Sequence, residues 1–103
     1  MGATPSGRAQ LARILGVPED EILDWVNLID LRRIKGVGDV YSVLLKASGV
    51  DTVKELAARN PANLHATMVD VNNTQAITEK VPSEVEVADW VAQAKVLPAV
   101  VTY

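Results

Sequence analysis

The most informative stretch of the chain is Leu31-Arg32-Arg33-Ile34-Lys35-Gly36-Val37-Gly38-Asp39-Val40-Tyr41-Ser42-Val43-Leu44-Leu45. Position by position it runs apolar, two spacers, apolar, one spacer, Gly-apolar-Gly, three spacers, small, two spacers, apolar. That order is the helix-hairpin-helix pattern. Its glycines permit the tight turn that brings two short helices together. Val37 is expected to fill the space between them, and Ser42 is small where they cross. In nucleic-acid-binding examples of this pattern, the turn amides and the following helix N-terminus face a backbone phosphate. Arg32, Arg33 and Lys35 lie just before the turn and add cations. Arg32, Arg33, Lys35, Gly36, Val37 and Gly38 are therefore the candidate contacts to a phosphate or a partner. Asp39 opposes the phosphate reading, because it puts a carboxylate at the start of the second helix. Used for packing alone, the same turn serves a protein contact. Gly38→Val is expected to strain the turn and lower stability.

Helical punctuation continues on both sides. Upstream, Thr4-Pro5 is a cap followed by a proline tolerated at the first helical position. Leu11, Ile14 and Leu15 recur at helical spacing, and Gly16 is a natural stop. Glu19, Asp20 and Glu21 suit the positive end of the next helix dipole. Ile22, Trp25, Val26 and Ile29 form its apolar stripe, and Asp30 is placed to cap a short turn through Ile34. Downstream, Val40, Val43, Leu44 and Ala47 form a stripe ended by Gly49. Thr52 and Glu55 have capping-box spacing ahead of Val53, Leu56 and Ala57. Asn60-Pro61 opens a helix carrying Leu64, Met68 and Val71. Asn72-Asn73-Thr74 reads as a break, with Thr74 capping a short helix over 75–79. Ser83 and Glu86 form a second box, before a stripe of Val87, Trp90, Val91 and Ala94 closed by Pro98. The tail Ala99-Val100-Val101-Thr102-Tyr103 is β-prone and apolar. Val100, Val101 and Tyr103 are candidates to dock on a partner groove or sheet edge. The fold expected is a single all-α domain over 1–103, a compact bundle of five to seven short helices with a short extended C-terminal tail.

Composition limits the function classes. The chain has 103 residues, 49% of them apolar but only 4% aromatic, so the core is built of Leu, Val, Ile and Ala. It has no Cys, which excludes thiol catalysis and thiolate metal sites. Ten basic against 13 acidic residues leave a net charge of −3, which weakens a general nucleic-acid reading. No apolar run reaches the roughly 20 residues of a membrane span, and Met1 is followed by no signal-peptide core. A cytoplasmic location without membrane insertion is therefore expected. His65 is the sole histidine and reads as a packing or locally bonded residue, not a base. The consecutive spacing of Glu19, Asp20 and Glu21 splays their side chains around a helix and favours dipole compensation over metal binding. No hydrolase elbow and no phosphate loop are present, and Gly36-Val37-Gly38 lacks the third glycine of a dinucleotide site. Trp25 and Trp90 read as core, with an exposed binding anchor as the alternative for either. Arg8, Arg13, Arg32 and Arg33 are scattered and read as surface ion-pair partners, with a shared basic face as the alternative.

Four further segments carry a resemblance: Gly49-Val50-Asp51-Thr52-Val53-Lys54-Glu55-Leu56-Ala57, Arg59-Asn60-Pro61-Ala62-Asn63-Leu64-His65-Ala66, Val87-Ala88-Asp89-Trp90-Val91-Ala92-Gln93-Ala94-Lys95, and Asp24-Trp25-Val26-Asn27. With Arg33-Ile34-Lys35-Gly36-Val37-Gly38 and Thr4-Pro5-Ser6-Gly7-Arg8, they resemble a widespread bacterial domain-of-unknown-function family with a helix-hairpin-helix core. The resemblance covers nearly the whole chain. It implies a helical fold of the tandem-hairpin or SAM-like type, no established activity and no catalytic residues to carry over, and no cofactor is expected. Members of that family commonly carry another Gly-x-Gly hairpin ahead of the Thr-Pro-x-Gly-Arg segment, and this sequence starts almost at that segment. Apolar surface on the first two helices is then expected to need a partner, a second copy or a neighbouring protein. The function expected is a non-enzymatic interaction or scaffolding module binding another protein or itself. The alternative is an accessory nucleic-acid-binding domain that contacts phosphate through the Gly-Val-Gly turn.

Overall fold

The structure is a computed structural model that describes residues 2–98. The candidate tail residues Val100, Val101 and Tyr103 lie outside the described residues. Six helices follow one another: α1 (Pro5–Leu15), α2 (Glu19–Leu31), α3 (Asp39–Ala47), α4 (Val53–Ala57), α5 (Pro61–Gln75) and α6 (Glu84–Val96). The described residues contain no strand, and the all-α expectation holds.

The caps act where the sequence places them. The hydroxyls of Thr4, Thr52 and Ser83 and the Asn60 carboxamide each accept from the amide three residues on, starting α1, α4, α6 and α5 respectively. Gly16 (φ 70°) and Gly49 (φ 92°) take the left-handed turns after α1 and α3. Ser83 and Glu86 form a reciprocal capping box that satisfies two first-turn amides. Replacing Ser83 by Ala should therefore cost about 1 kcal/mol and lower the melting temperature by about 4–8 °C. Differential scanning calorimetry reads this directly, and an unchanged midpoint would mean the box is not formed in solution.

One helix end is a correction. α5 runs through the expected break at Asn72-Asn73-Thr74 to Gln75, and 76–79 is not helical. Thr74 does not cap a new helix, because its hydroxyl donates backwards to the Asp70 carbonyl at 3.2 Å. The helix stops at Ala76, in the left-handed conformation (φ 49°). Asn72 then clasps the departing chain. Its Oδ1 accepts from the Thr78 amide at 2.9 Å, and its Nδ2 donates to the Thr78 carbonyl at 3.0 Å. The two Asn72 bonds let 76–82 run non-helically without stranding the Thr78 backbone groups.

The core is offset along the chain. Leu31, Ile34, Val37, Leu44, Leu45, Val50, Val53, Leu56, Leu64, Met68, Val87, Trp90, Val91 and Ala94 form one buried cluster. It is made by the end of α2, the connection after it, and α3 to α6. α6 packs on α4 and α5, and α3 on α5. α1 packs on α2 and on no other helix to a similar extent. Ala12 and Ile22 are buried at the α1–α2 contact but lie outside the main cluster. The first two helices thus form an arm attached to the rest through the C-terminal end of α2. The molecule is correspondingly flat, with extents of 40 × 30 × 17 Å.

Candidate functional site

The connection Arg32–Gly38 is wound from three-residue turns. The amides of Arg32, Arg33, Ile34 and Val37 donate to the carbonyls three residues earlier, at 3.1 Å each. α2 runs unbroken through Leu31 before these turns begin, so Asp30 lies within α2 and does not cap a separate turn. α6 grips the connection from the other side. The Lys35 amide donates to Gln93 Oε1 at 2.8 Å, and Gln93 Nε2 donates to the Lys35 carbonyl at 3.1 Å. Gly36 has φ +97° and lies against the Trp90 indole; a Cβ added there would fall 2.9 Å from Nε1. Trp90 is buried and its ring meets Tyr41 at 5.4 Å between centroids. Val37 is buried in the core cluster and offers no side chain to a partner.

Gly38 is a correction. It sits at φ −98° as the N-cap of α3, and nothing lies within 4 Å of a Cβ added there. A side chain fits at this position without backbone strain. The glycine that the turn requires is Gly36.

Two of the three candidate cations are paired within the chain, while Lys35 is exposed and makes no ion pair among the described residues. Arg32 pairs with Asp39 at 3.0 Å and Arg33 with Asp30 at 2.8 Å. Arg33 also donates to the Pro98 carbonyl at 2.9 Å, tying the end of α6 to the end of α2. Asp39 therefore occupies the first turn of α3, at the position a phosphate would take, and holds the nearest guanidinium. Arg8 is buried and donates to the Gly2 carbonyl at 3.1 Å, while Arg13 is exposed at the end of α1. With Arg8 buried and two of the others paired to carboxylates, these four arginines do not make a basic face. Glu19, Asp20 and Glu21 occupy the first turn of α2 as expected. No group of three or more His, Cys, Asp or Glu able to hold a metal ion occurs among the described residues. His65 is half-buried on α5.

The site that sequence reasoning missed is apolar. Trp25, which read as core with an exposed anchor as the alternative, is 44% exposed, and Ile29 of the same stripe is 63% exposed. Val40 and Val43 are also exposed, and Leu45 takes the buried place on α3 instead. An open groove runs between α2 and α3, lined by Trp25, Leu28 and Ile29 on one wall and Ser42 and Val43 on the other. Two ion pairs cross it, one from α2 to α3 and one from Arg32, just past α2, to α3. Asp24–Lys46 (3.4 Å) spans one end and Arg32–Asp39 (3.0 Å) the other. The physical signal was present in α2. Seven of its thirteen residues are large and apolar, namely Ile22, Leu23, Trp25, Val26, Leu28, Ile29 and Leu31, too many for one face. Asn27 and Asp30 take buried positions on α2, and Asp30 pairs there with Arg33.

No described helix is long and apolar enough to cross a membrane. No solved structure matches the chain. An uncharacterised 22.9 kDa protein from the nqo2 3′ region of Paracoccus denitrificans is 37% identical over 70 residues, which is 68% of this chain. That match spans 29% of the relative's own length. The caps, the α6 grip on residues 32–38 and the α1–α2 arm all fall within residues 1–97, which match the model of the domain-of-unknown-function family DUF4332, and the chain belongs to that family.

Proposed function

We propose that this chain is a cytoplasmic, non-enzymatic protein-interaction module whose α2–α3 groove receives an apolar helical surface of a protein. The observation that carries this reading is the exposure of Trp25, Ile29 and Val43 along one groove between two ion pairs. Trp in a partly desolvated cleft is a usual anchor of protein recognition, and the neighbouring apolar residues widen the strip around it. The flanking ion pairs fix the two helix walls and offer polar rim groups around the apolar strip.

In this reading the Leu31–Leu45 stretch is a helix-hairpin-helix kept for packing. Its turn is spent on α6, through Gln93 and Trp90, and its arginines on Asp30 and Asp39. Nucleic-acid binding through Gly36-Val37-Gly38 has less support. A phosphate there would meet the Asp39 carboxylate and would have to compete for Arg32.

The test is site-specific photo-cross-linking. A benzophenone amino acid is placed at Ile29, with Val85 on α6 as an exposed control. The full chain is irradiated in cells, and the adducts are identified by mass spectrometry. A protein adduct from position 29 that is absent from position 85 is the expected result. A nucleic-acid adduct, or equal adducts from both positions, overturns the reading.

A further inference from the structure

We propose that the occupant of the α2–α3 groove is a second copy of this chain, with the Arg13-Ile14-Leu15 corner of each copy seated in the groove of the other. This deepens the interaction-module reading and rests on it.

Three observations lead to a second copy. The first is the unfinished arm. α1 packs on α2 and on no other helix to a similar extent, and the buried cluster that holds the rest together includes no residue of α1. Helix pairs bury one side of each helix and leave the other for a further layer. Two such arms packed together give four helices around a shared apolar seam, the ordinary way of finishing an αα pair.

The second observation is the apolar corner. Ile14 and Leu15 close α1 and are 66% and 55% exposed. They are consecutive, so they project over adjoining parts of the helix end. Their exposure shows that the chain's own groove does not cover them. The knob and the groove are both present on one molecule and both unfilled. That is the condition for a reciprocal two-fold contact, in which residue i of one copy meets residue j of the other and j meets i.

The third observation is charge. α1 carries Arg8 and Arg13 and no acidic residue. Arg13 is exposed beside the two apolar residues. Just before the groove, Glu21 lies one helical turn ahead of Trp25 on the same face of α2 and is exposed. The next acid, Asp24, already closes that end by pairing with Lys46. A corner bearing one cation thus meets a groove mouth bearing one spare carboxylate. In a two-fold dimer this Arg13–Glu21 match occurs twice. It sets the register of the contact, while the apolar residues supply most of the affinity.

The experiment is sedimentation velocity on the purified full chain over a concentration series, with three variants. Wild type is expected to approach twice the 11.1 kDa chain mass as concentration rises. Leu15→Glu removes the knob and Ile29→Asp spoils the groove. Each should weaken association by at least about tenfold. Both sites are exposed, so circular dichroism and the melting temperature should stay at wild-type values. An equimolar mixture of the two variants is the decisive sample. One chain keeps an intact corner and the other an intact groove, so their heterodimer retains one complete contact and dimer mass partly returns. The charge match is read by Arg13→Glu, which should weaken association and be restored by adding Glu21→Arg in the same chain.

Wild type that stays at 11.1 kDa up to about 1 mM overturns the proposal. So does a dimer that neither variant weakens, or a mixture that recovers nothing. A monomer whose position-29 cross-linker captures a different protein sinks the second copy and leaves the interaction module standing. A monomer with no groove-specific protein adduct removes both.

Discussion

Gly36→Val is expected to lower the melting temperature by about 10–20 °C, whereas Gly38→Val should move it by only a few degrees. The two positions flank Val37 and look equivalent in the sequence. They differ in backbone and in surroundings. Gly36 has φ +97°, a region that side-chain-bearing residues rarely adopt and β-branched ones avoid most strongly. Its missing Cβ also leaves room for the Trp90 indole, which comes within 2.9 Å of where that carbon would be. Backbone strain of about 1–3 kcal/mol and displacement of a buried ring therefore add. Gly38 has neither feature, with φ −98° and open space on its side-chain face. As the N-cap of α3 it makes no side-chain cap bond, and Gly38→Ser should hold stability or raise it by a few tenths of a kcal/mol. Thermal melts followed by circular dichroism on the three variants separate the positions. A large loss at Gly38 with little at Gly36 would reverse the assignment of the turn.

The contrast shows what a sequence carries and what it does not. A Gly-x-Gly pattern announces a tight turn, but not which glycine holds the positive φ. That choice is made by Trp90, 54 positions away, and no local rule contains it. Caps behave differently. Thr4, Thr52, Asn60 and Ser83 each act on an amide three residues on, so the reading and the structure agree. The stripe Val87, Trp90, Val91 and Ala94 was legible for a related reason. α6 has one apolar side that matters, and all four residues are buried.

The first half of the chain was harder to read. In α2 apolar residues surround most of the helix, and periodicity cannot tell a wall facing the core from a wall facing a groove. The buried face is marked instead by Asn27 and Asp30, polar residues that the pattern alone places outside. Asp30 is kept there by Arg33, an ion pair that joins α2 to the turn. In α5, Asn72 and Thr74 are turn-forming types by propensity. Their side chains satisfy backbone groups of a continuing helix and of the segment after it, so the break falls later, at Ala76. The candidate groove stayed hidden because it depends on which of two apolar faces α3 covers.

Trp90→Ala should be the most damaging single truncation, at about 3–5 kcal/mol, against a total stability of about 5–15 kcal/mol for a domain of this kind. The ring is 2% exposed and stands at the meeting point of three parts of the fold. It packs on Tyr41 of α3, whose hydroxyl donates to the Lys80 carbonyl at 3.0 Å and so anchors the segment before α6. It backs onto Gly36 and through it supports residues 32–38. It lies on α6 one turn before Gln93, which bonds both backbone groups of Lys35. Truncation leaves a cavity beside a turn that little else fills, so the loss includes the packing of the turn as well as the transfer of the ring. The shared contact makes a further, sharper expectation. In the Trp90→Ala background, Gly36→Ala no longer meets the indole and should cost only its backbone strain. The double variant should then be more stable than the sum of the single losses predicts, by about 1 kcal/mol. Chemical denaturation of the four proteins in one cycle measures that difference. Strict additivity would show that Gly36 is required by its positive φ alone, and that the 2.9 Å approach to the indole plays no part.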